Sequence, residues 1–322
     1  MNFYKNKKVL VAGGTGLIGK FLVDDLIGAG AQVRIASLDD VSKANPNSEF
    51  YKTDLTKPEN CETVCEGMDY VFNLLCIKGS PKTMALRTAS IFTPMILFNT
   101  NLLEAARKKN VLNYLYTSSL GVYKPADISY EDDMWKSFPS SKDWCAGWAK
   151  RMGELQVEAY REEYDWKGLS IVRPANTYGP GDDFDSENSM VVPSLIKKAV
   201  LSRDFLKVWG DGSEIRDFAY AGDVARGIMM ALEKSSALPI NLGSGTGYSI
   251  KKLATTIISK VNPNLQIEWQ KTEARGDKIR ILNIKRAEEI LGWKPEVDLS
   301  EGIENTIKWY KENKWKSGQT NK

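Results

Sequence analysis

The 322-residue chain has no histidine. That absence excludes imidazole acid/base catalysis, Ser-His-Asp hydrolysis and every histidine-ligated metal site, and no metal is expected. Cysteine is scarce: Cys61, Cys65, Cys76 and Cys145. Only the first two are close, and three intervening residues match neither a zinc nor a redox spacing. Scattered thiols predict a reducing, cytoplasmic setting. No run approaches the roughly 18 apolar residues of a membrane span. The chain leads straight into Val9-Leu10-Val11-Ala12 without a signal-peptide layout, so neither membrane nor secretion is expected. A dominant charge is lacking too. Lys and Arg number 44 against 41 Asp and Glu, a net charge of +3, too little for a nucleic-acid surface. The short basic runs Lys5–Lys8 and Arg107–Lys109 read as solvated faces.

What remains is ordinary globular composition, 42% apolar and 26% charged, in a chain of about two domains at roughly 150 residues each. Strand-like segments at Lys8–Ala12, Gln32–Ala36, Tyr70–Leu75, Leu112–Thr117 and Leu169–Arg173 alternate with helical ones. The helices fall at about residues 17–28, Glu59–Glu66, Ile91–Lys109 and Ala146–Tyr164. This alternation predicts an α/β fold, a Rossmann-type doubly wound parallel sheet covered on both faces. After Arg173-Pro174 the rhythm changes. A loop and the acidic stretch Asp182–Glu187 precede a helix near Val192–Leu201 and a strand at Phe205–Trp209. A helix at Gly222–Glu233 leads to the segment Pro239–Gly243. Helices follow near Ile250–Val261, Lys285–Leu291 and Ser300–Glu312. The expected division is a dinucleotide-binding domain over 1–173 plus about 205–242, and a smaller, partly interleaved substrate domain over 174–204 and 243–322.

Gly13, Gly16 and Gly19 stand three apart, after the first strand and at the start of the first helix. A tight turn, close backbone approach to a pyrophosphate and a helix N-terminus with free N–H groups all require this placement, so a dinucleotide cofactor is expected there. An acid at the end of the second strand would bond the adenosine ribose. The counted position is Ser37, with Asp39 and Asp40 close enough to take the role. No arginine follows, which favours NAD and leaves NADP open.

The set of motifs resembles the extended short-chain dehydrogenases/reductases, in particular the NAD(P)-dependent nucleotide-sugar epimerase/dehydratase group, over nearly the whole chain. Val11-Ala12-Gly13-Gly14-Thr15-Gly16-Leu17-Ile18-Gly19 is similar to the group's glycine motif. Asp54-Leu55 resembles the pair that meets the adenine, and Asn73-Leu74-Leu75 the strand under the cofactor. Asn99 matches an asparagine behind the site. Thr117-Ser118-Ser119-Leu120-Gly121-Val122-Tyr123 looks like the catalytic-serine strand, and Arg173-Pro174-Ala175-Asn176-Thr177-Tyr178-Gly179-Pro180-Gly181 the opening of the substrate domain. The resemblance implies that Gly13, Gly16, Leu17, Ile18, Gly19, Ser37, Asp39, Asp54, Leu55, Leu74, Asn99, Lys150 and Pro174 meet the cofactor. It further implies that Ser119, Asn176, Val192, Arg216 and Arg280 meet a nucleoside-diphosphate sugar. For Arg280, in Gly276-Asp277-Lys278-Ile279-Arg280, a surface salt bridge is the competing reading. The segment Asn188–Ile196 is most similar to the subgroup typified by GDP-fucose synthase, so a GDP-linked sugar is expected.

The same resemblance narrows the chemistry. Dehydratases carry Thr-Asp-Glu on the serine strand, and decarboxylases place Glu where Gly121 stands. GDP-fucose synthase uses a cysteine at that place with a distant histidine. This chain has Ser119-Leu120-Gly121 and no histidine, which leaves hydride transfer at a sugar carbon, expected at C4. The group's base is a tyrosine four residues before a lysine. The lysine is Lys150, and the tyrosine's place holds Ala146. Tyr4 with Lys8, Tyr248 with Lys252 and Tyr310 with Lys314 share the spacing but follow no serine strand. Substitutes for the phenol are Lys150 itself, Cys145, Tyr123 or water held by Ser119. Ser119, Lys150 and Tyr123 are therefore the expected catalytic residues. The alternative is a catalytically impaired cofactor- or sugar-binding protein, its tyrosine lost by divergence or by mutation. The resemblance also implies a homodimer through the helices Ile91–Lys109 and Ala146–Tyr164. The stripe Ile91, Met95, Phe98 and Leu102 could serve that contact or pack within the chain.

Overall fold

The computed structural model describes residues 3–77, 79, 81–186, 188–270 and 277–315. Glu187 of the acidic stretch and Gly276 of the arginine segment lie outside the described residues. The first half runs β1 (Lys8–Ala12), α1 (Leu17–Gly28), β2 (Gln32–Ser37), β3 (Glu49–Lys52), α2 (Pro58–Cys65), β4 (Tyr70–Asn73), α3 (Pro81–Leu86), α4 (Thr88–Lys108) and β5 (Asn113–Thr117). It continues through β6 (Ile128–Ser129), α5 (Trp144–Tyr164), β7 (Leu169–Pro174) and β8 (Asn176–Tyr178). The second half holds α6 (Val191–Leu201), β9 (Phe205–Trp209), β10 (Ile215–Tyr220), α7 (Ala221–Lys234), β11 (Ile240–Leu242), β12 (Gly247–Ser249), α8 (Ile250–Val261), β13 (Gln266–Gln270), β14 (Ile279–Leu282) and α9 (Leu299–Tyr310). The helix expected at Lys285–Leu291 is a π-helical turn over Ala287–Leu291, and α9 runs on as another over Lys311–Trp315.

Seven strands form one parallel sheet in the order β11-β7-β5-β4-β1-β2-β3. The interior strand β1 shows why both faces are covered. Side chains alternate across a strand, and Val9 to Ala12 are all fully buried. Val9 and Val11 join the core with Leu22 and Leu26 of α1 and Val224 and Ile228 of α7. Leu10 and Ala12 point the other way, into the core with Cys61 and Val64 of α2 and Met95 and Leu102 of α4. The stripe Ile91, Met95, Phe98 and Leu102 is buried in this second core. Its assignment to a dimer contact is therefore corrected: the chain's own sheet consumes it.

A second body forms a third core from α6, α8 and α9. Strands β12, β10, β14 and β6 make a mixed sheet with β8 beside β10, and β9 pairs with β13 alone. This corrects the expected division. Residues 205–242 do not return as a block to the first body, because Leu206 and Val208 of β9 pack in the third core. Only α7 and β11 return. Conversely β6, from the first half, is recruited beside β14.

One buried ion pair ties α5 to β7. Arg173 Nε donates to Glu154 Oε1 at 2.9 Å and Nη2 to Oε2 at 2.6 Å, with side chains 1% and 0% exposed. Removing one member of such a pair strands the other charge in a low dielectric. Glu154→Ala is expected to lower unfolding stability by about 3–5 kcal/mol, checked by urea titration.

Candidate active site

The loop after β1 is built for backbone rather than side chains. Gly13 has φ +84°, a left-handed conformation, and its missing Cβ would stand 3.4 Å from the Leu74 carbonyl. A Cβ on Gly19 would overlap Gly13 O and the Gly14 backbone, so α1 starts directly against the loop. Gly16 precedes Leu17 and Ile18 with no side-chain cap, which leaves first-turn N–H groups for a ligand.

At the end of β2, Thr15 Oγ1 lies 2.8 Å from Ser37 Oγ and donates to Asp39 Oδ2 at 2.7 Å. The Asp39 amide donates to Ser37 Oγ at 3.1 Å. Ser37 and Asp39 thus act together, with Thr15 of the glycine loop as a link the sequence reading missed. Partial burial works against ionising Asp39, but hydrogen bonds from Lys43, Thr15 and Ser37 hold its carboxyl below the usual range. Asp40 does not share this role; its carboxylate accepts from the Ser42 amide and caps a short turn. Asp54 accepts the Thr56 amide and hydroxyl, which lower its carboxyl pKa, while Leu55 beside it is core.

The ends of β4 and β5 receive Lys150. Its Nζ donates to Thr117 O at 2.7 Å and Leu75 O at 3.0 Å and stands 5.2 Å from the Tyr116 ring centroid. The side chain is buried, and desolvation pushes its ammonium below the ordinary lysine pKa. Two of its three donors are used. Ser119 follows β5 by two residues, its Oγ accepting the Gly121 amide at 3.1 Å. Thr117 Oγ1 and Ser118 Oγ beside it are buried without a protein partner.

Two expected site residues belong elsewhere. Asn99 is 2% exposed; its amide accepts from Asn73 and donates to Tyr116. It braces β4 against α4, with its amide oxygen and nitrogen both engaged within the chain. Tyr123 is corrected likewise. Its hydroxyl donates to Asn241 Oδ1 at 2.7 Å and accepts from Arg173 Nη1 at 2.7 Å. Burial raises the phenol well above its usual pKa, although Arg173 opposes it. A phenol so engaged is a strut, not a base.

On the substrate side, β10 and β14 pair with Arg216 opposite Arg280. Burial and then the Arg280 charge press the Arg216 guanidinium down. Arg280 Nη1 donates to Asp143 Oδ2 at 2.5 Å, Nη2 to Leu120 O at 3.2 Å, and Nε lies 3.6 Å from Asp277. It is thus ion-paired, but at the site and not on an open surface. Asp143, ahead of α5, is the second residue that sequence reasoning missed. Asn176 donates to Asp217 O at 3.0 Å. Val192 is buried in the third core, so only its backbone can face a ligand. Pro174 ends β7, with Ala175 N bonded to Leu242 O. Ala146 and Leu75 both pack on the second core.

The glycine cradle, the orphaned hydroxyls at the end of β5 and the desolvated Lys150 fit a dinucleotide lying across the carboxyl ends of the strands. The profile described as the NAD dependent epimerase/dehydratase family matches residues 9–243. The chain belongs to that family. It is 29% identical to a probable GDP-L-fucose synthase of Oryza sativa, over 96% of this chain and 93% of that one. It is 30% identical to a putative UDP-glucose 4-epimerase of Methanocaldococcus jannaschii, over 95% and 99%. The UDP-glucose 4-epimerase of Thermotoga maritima, solved with UDP-glucose, superposes with a TM-score of 0.87 at 27% identity, covering 95% of this chain and 99% of that one. Among the described residues, no helix is long and apolar enough to cross a membrane, and no group of three or more acidic, cysteine or histidine side chains could hold a metal.

Gly16→Val is expected to abolish binding of NAD(H) or NADP(H) with the fold retained, because the new side chain would fill the place expected for the pyrophosphate. Calorimetry and circular dichroism check both halves.

Proposed function

We propose that this protein is an NAD-dependent nucleotide-sugar oxidoreductase or epimerase, transferring hydride at a sugar carbon, C4, of a GDP-linked sugar. The observation that carries this reading is the desolvated Lys150, fixed on the Leu75 carbonyl past β4 and on the Thr117 carbonyl at the end of β5, two residues before Ser119. The nicotinamide supplies the hydride acceptor or donor. Lys150 has one donor left for the nicotinamide ribose, and Ser119, with its oxygen already accepting from Gly121, can donate its proton to a substrate oxygen. Arg216 and Arg280 offer planar forks to the diphosphate, and Asn176 adjoins them. Asp39, held ionised beside the glycine loop, would bond the ribose 2′-hydroxyl and repel a 2′-phosphate, which favours NAD over NADP. The likeness to a GDP-L-fucose synthase over most of both chains supports the GDP assignment.

Ala146 supports a second reading, a cofactor- and sugar-binding protein without turnover, since on the family pattern it takes the place of the tyrosine base. Single-turnover NADH formation at 340 nm, with GDP-, UDP- and dTDP-linked sugars, separates the two. The parent protein is expected to transfer hydride, fastest with a GDP-sugar; Lys150→Met should lose at least tenfold, and Ala146→Tyr should gain less than threefold. A gain of tenfold or more, about 1.4 kcal/mol of barrier, would mark a site that has only lost its phenol. Silence with every sugar favours the binding reading.

The assembly we propose is a homodimer in a reducing cytoplasm. Leu97 of α4 and Leu155 of α5 remain exposed on adjoining helices after the stripe of α4 is buried, and all four cysteines are free thiols. Sedimentation at micromolar concentration should give a dimer, and Leu97→Glu a monomer.

A further inference from the structure

The geometry points to Asp143 as the proton acceptor for the sugar hydroxyl, held on Arg280 until the substrate diphosphate takes that arginine. This deepens the nucleotide-sugar reading and rests on it. Asp143, Ala146 and Lys150 are spaced three and four apart, so they share one face at the start of α5. That spacing sets the Asp143 carboxylate one turn ahead of Ala146, the position that the family resemblance gives to the phenol. Gly121 shows where it points. An atom at the position of the missing Gly121 Cβ lies 3.5 Å from Ser119 Oγ and 3.7 and 3.8 Å from Asp143 Cβ and Cγ. The serine and the carboxylate therefore flank a single carbon-sized space. The helix is fixed there: a Cβ on Gly147 would stand 2.6 Å from Gly121 O and 2.7 Å from Pro139 Cβ, and Gly147 N donates to Asp143 O at 2.6 Å.

Arg280 is the partner that must leave. Its fork now spans Asp143 and Leu120 O, with Asp277 at its third edge. While that fork holds it, the Asp143 Oδ2 lone pair is engaged by Arg280 Nη1. A diphosphate competes for the same fork with greater charge, and Arg216 stands in register beside it. Once Arg280 turns to the diphosphate, Asp143 regains its lone pairs next to Ser119. The sugar O–H bond then breaks, its electron pair forms the C=O bond as hydride leaves carbon for the NAD⁺ nicotinamide, and the proton passes to Asp143. In the reverse direction the protonated Asp143 returns it.

Asp143→Asn keeps size and turn geometry while removing the base. Its affinity for GDP alone, by calorimetry, is expected to equal or exceed the parent's by up to about threefold, because Arg280 has lost a competitor. Single-turnover hydride transfer at saturating nucleotide sugar should fall at least about 100-fold, within the range of positioned acid/base catalysis. In Asp143→Ala, added formate should restore transfer at least tenfold. Asp143→Asn transferring within threefold of the parent overturns the assignment while leaving the nucleotide-sugar reading intact. So does a fall in GDP affinity with hydride transfer unchanged at saturation, which would make Asp143 only a support for Arg280. A parent protein inert toward every sugar in the panel fails the broader reading, and the acceptor with it.

Discussion

The site depends on a charge pair that touches no substrate. Arg173 and Glu154 meet with no solvent access, and Arg173 also donates to Tyr123 and to the Glu131 carbonyl. Asn241 of β11 closes the network, its Oδ1 accepting from Tyr123 while its backbone N–H donates to Glu131 Oε1. The guanidinium of β7 holds three other stretches directly, at Glu154, Tyr123 and Glu131, and Asn241 joins a fourth to them. Such a pair adds little net stability over an apolar substitute, but it tolerates only one arrangement of its neighbours. Glu154 lies one turn beyond Lys150 on α5. The rotation of that helix against β7, and so the entry of Lys150 between the strand ends, follows from where the pair locks.

Around this anchor the charges are arranged in opposition. Arg216 and Arg280 occupy facing positions on neighbouring strands, which costs repulsion, and Asp143 and Asp277 offset it from one side. Asp217, next to Arg216, is turned inward. Its carboxylate accepts from Ser244 and from the Leu282 amide. Burial still leaves its pKa raised despite these bonds. It fastens β10 to the turn after β11 and to β14, so the two arginines are held by a strand that cannot slip.

The sequence is informative wherever structure is local. The glycine loop, the strands β1, β2, β4, β5 and β7 and the helix α5 are readable because apolar periodicity and glycine spacing act within a few residues, whereas the edge strand β3 carries no such run. Ser119 and Lys150 are legible only through the family resemblance, which ties each to a short motif. The short strands β6, β8 and β12 are not. Two or three residues carry no period, and Ile128–Ser129 becomes a strand only because β14 arrives beside it. Asn99 and Tyr123 look like site residues by position in the chain, yet their hydroxyl and amide groups are consumed by partners that only the folded structure supplies. Asp143 is one residue in an unremarkable turn until Arg280, far along the chain, comes to its side. The α4 stripe is similar: periodicity identifies an apolar face but not which surface covers it.

The interleaving of the two bodies has a consequence for how the chain acquires its shape. The edge of the main sheet beyond β7 is completed only by β11, which follows the whole of α6, β9, β10 and α7. Strand β6 in turn waits for β14, later still. A nascent chain that has produced only its first half therefore carries an open parallel edge and an unpaired strand, the kind of exposed backbone that invites wrong pairing. High sequence separation between partners also slows the search for them. Neither body can finish before the other, so the edge beside β7 and the pairing of Arg216 with Arg280 are both completed late.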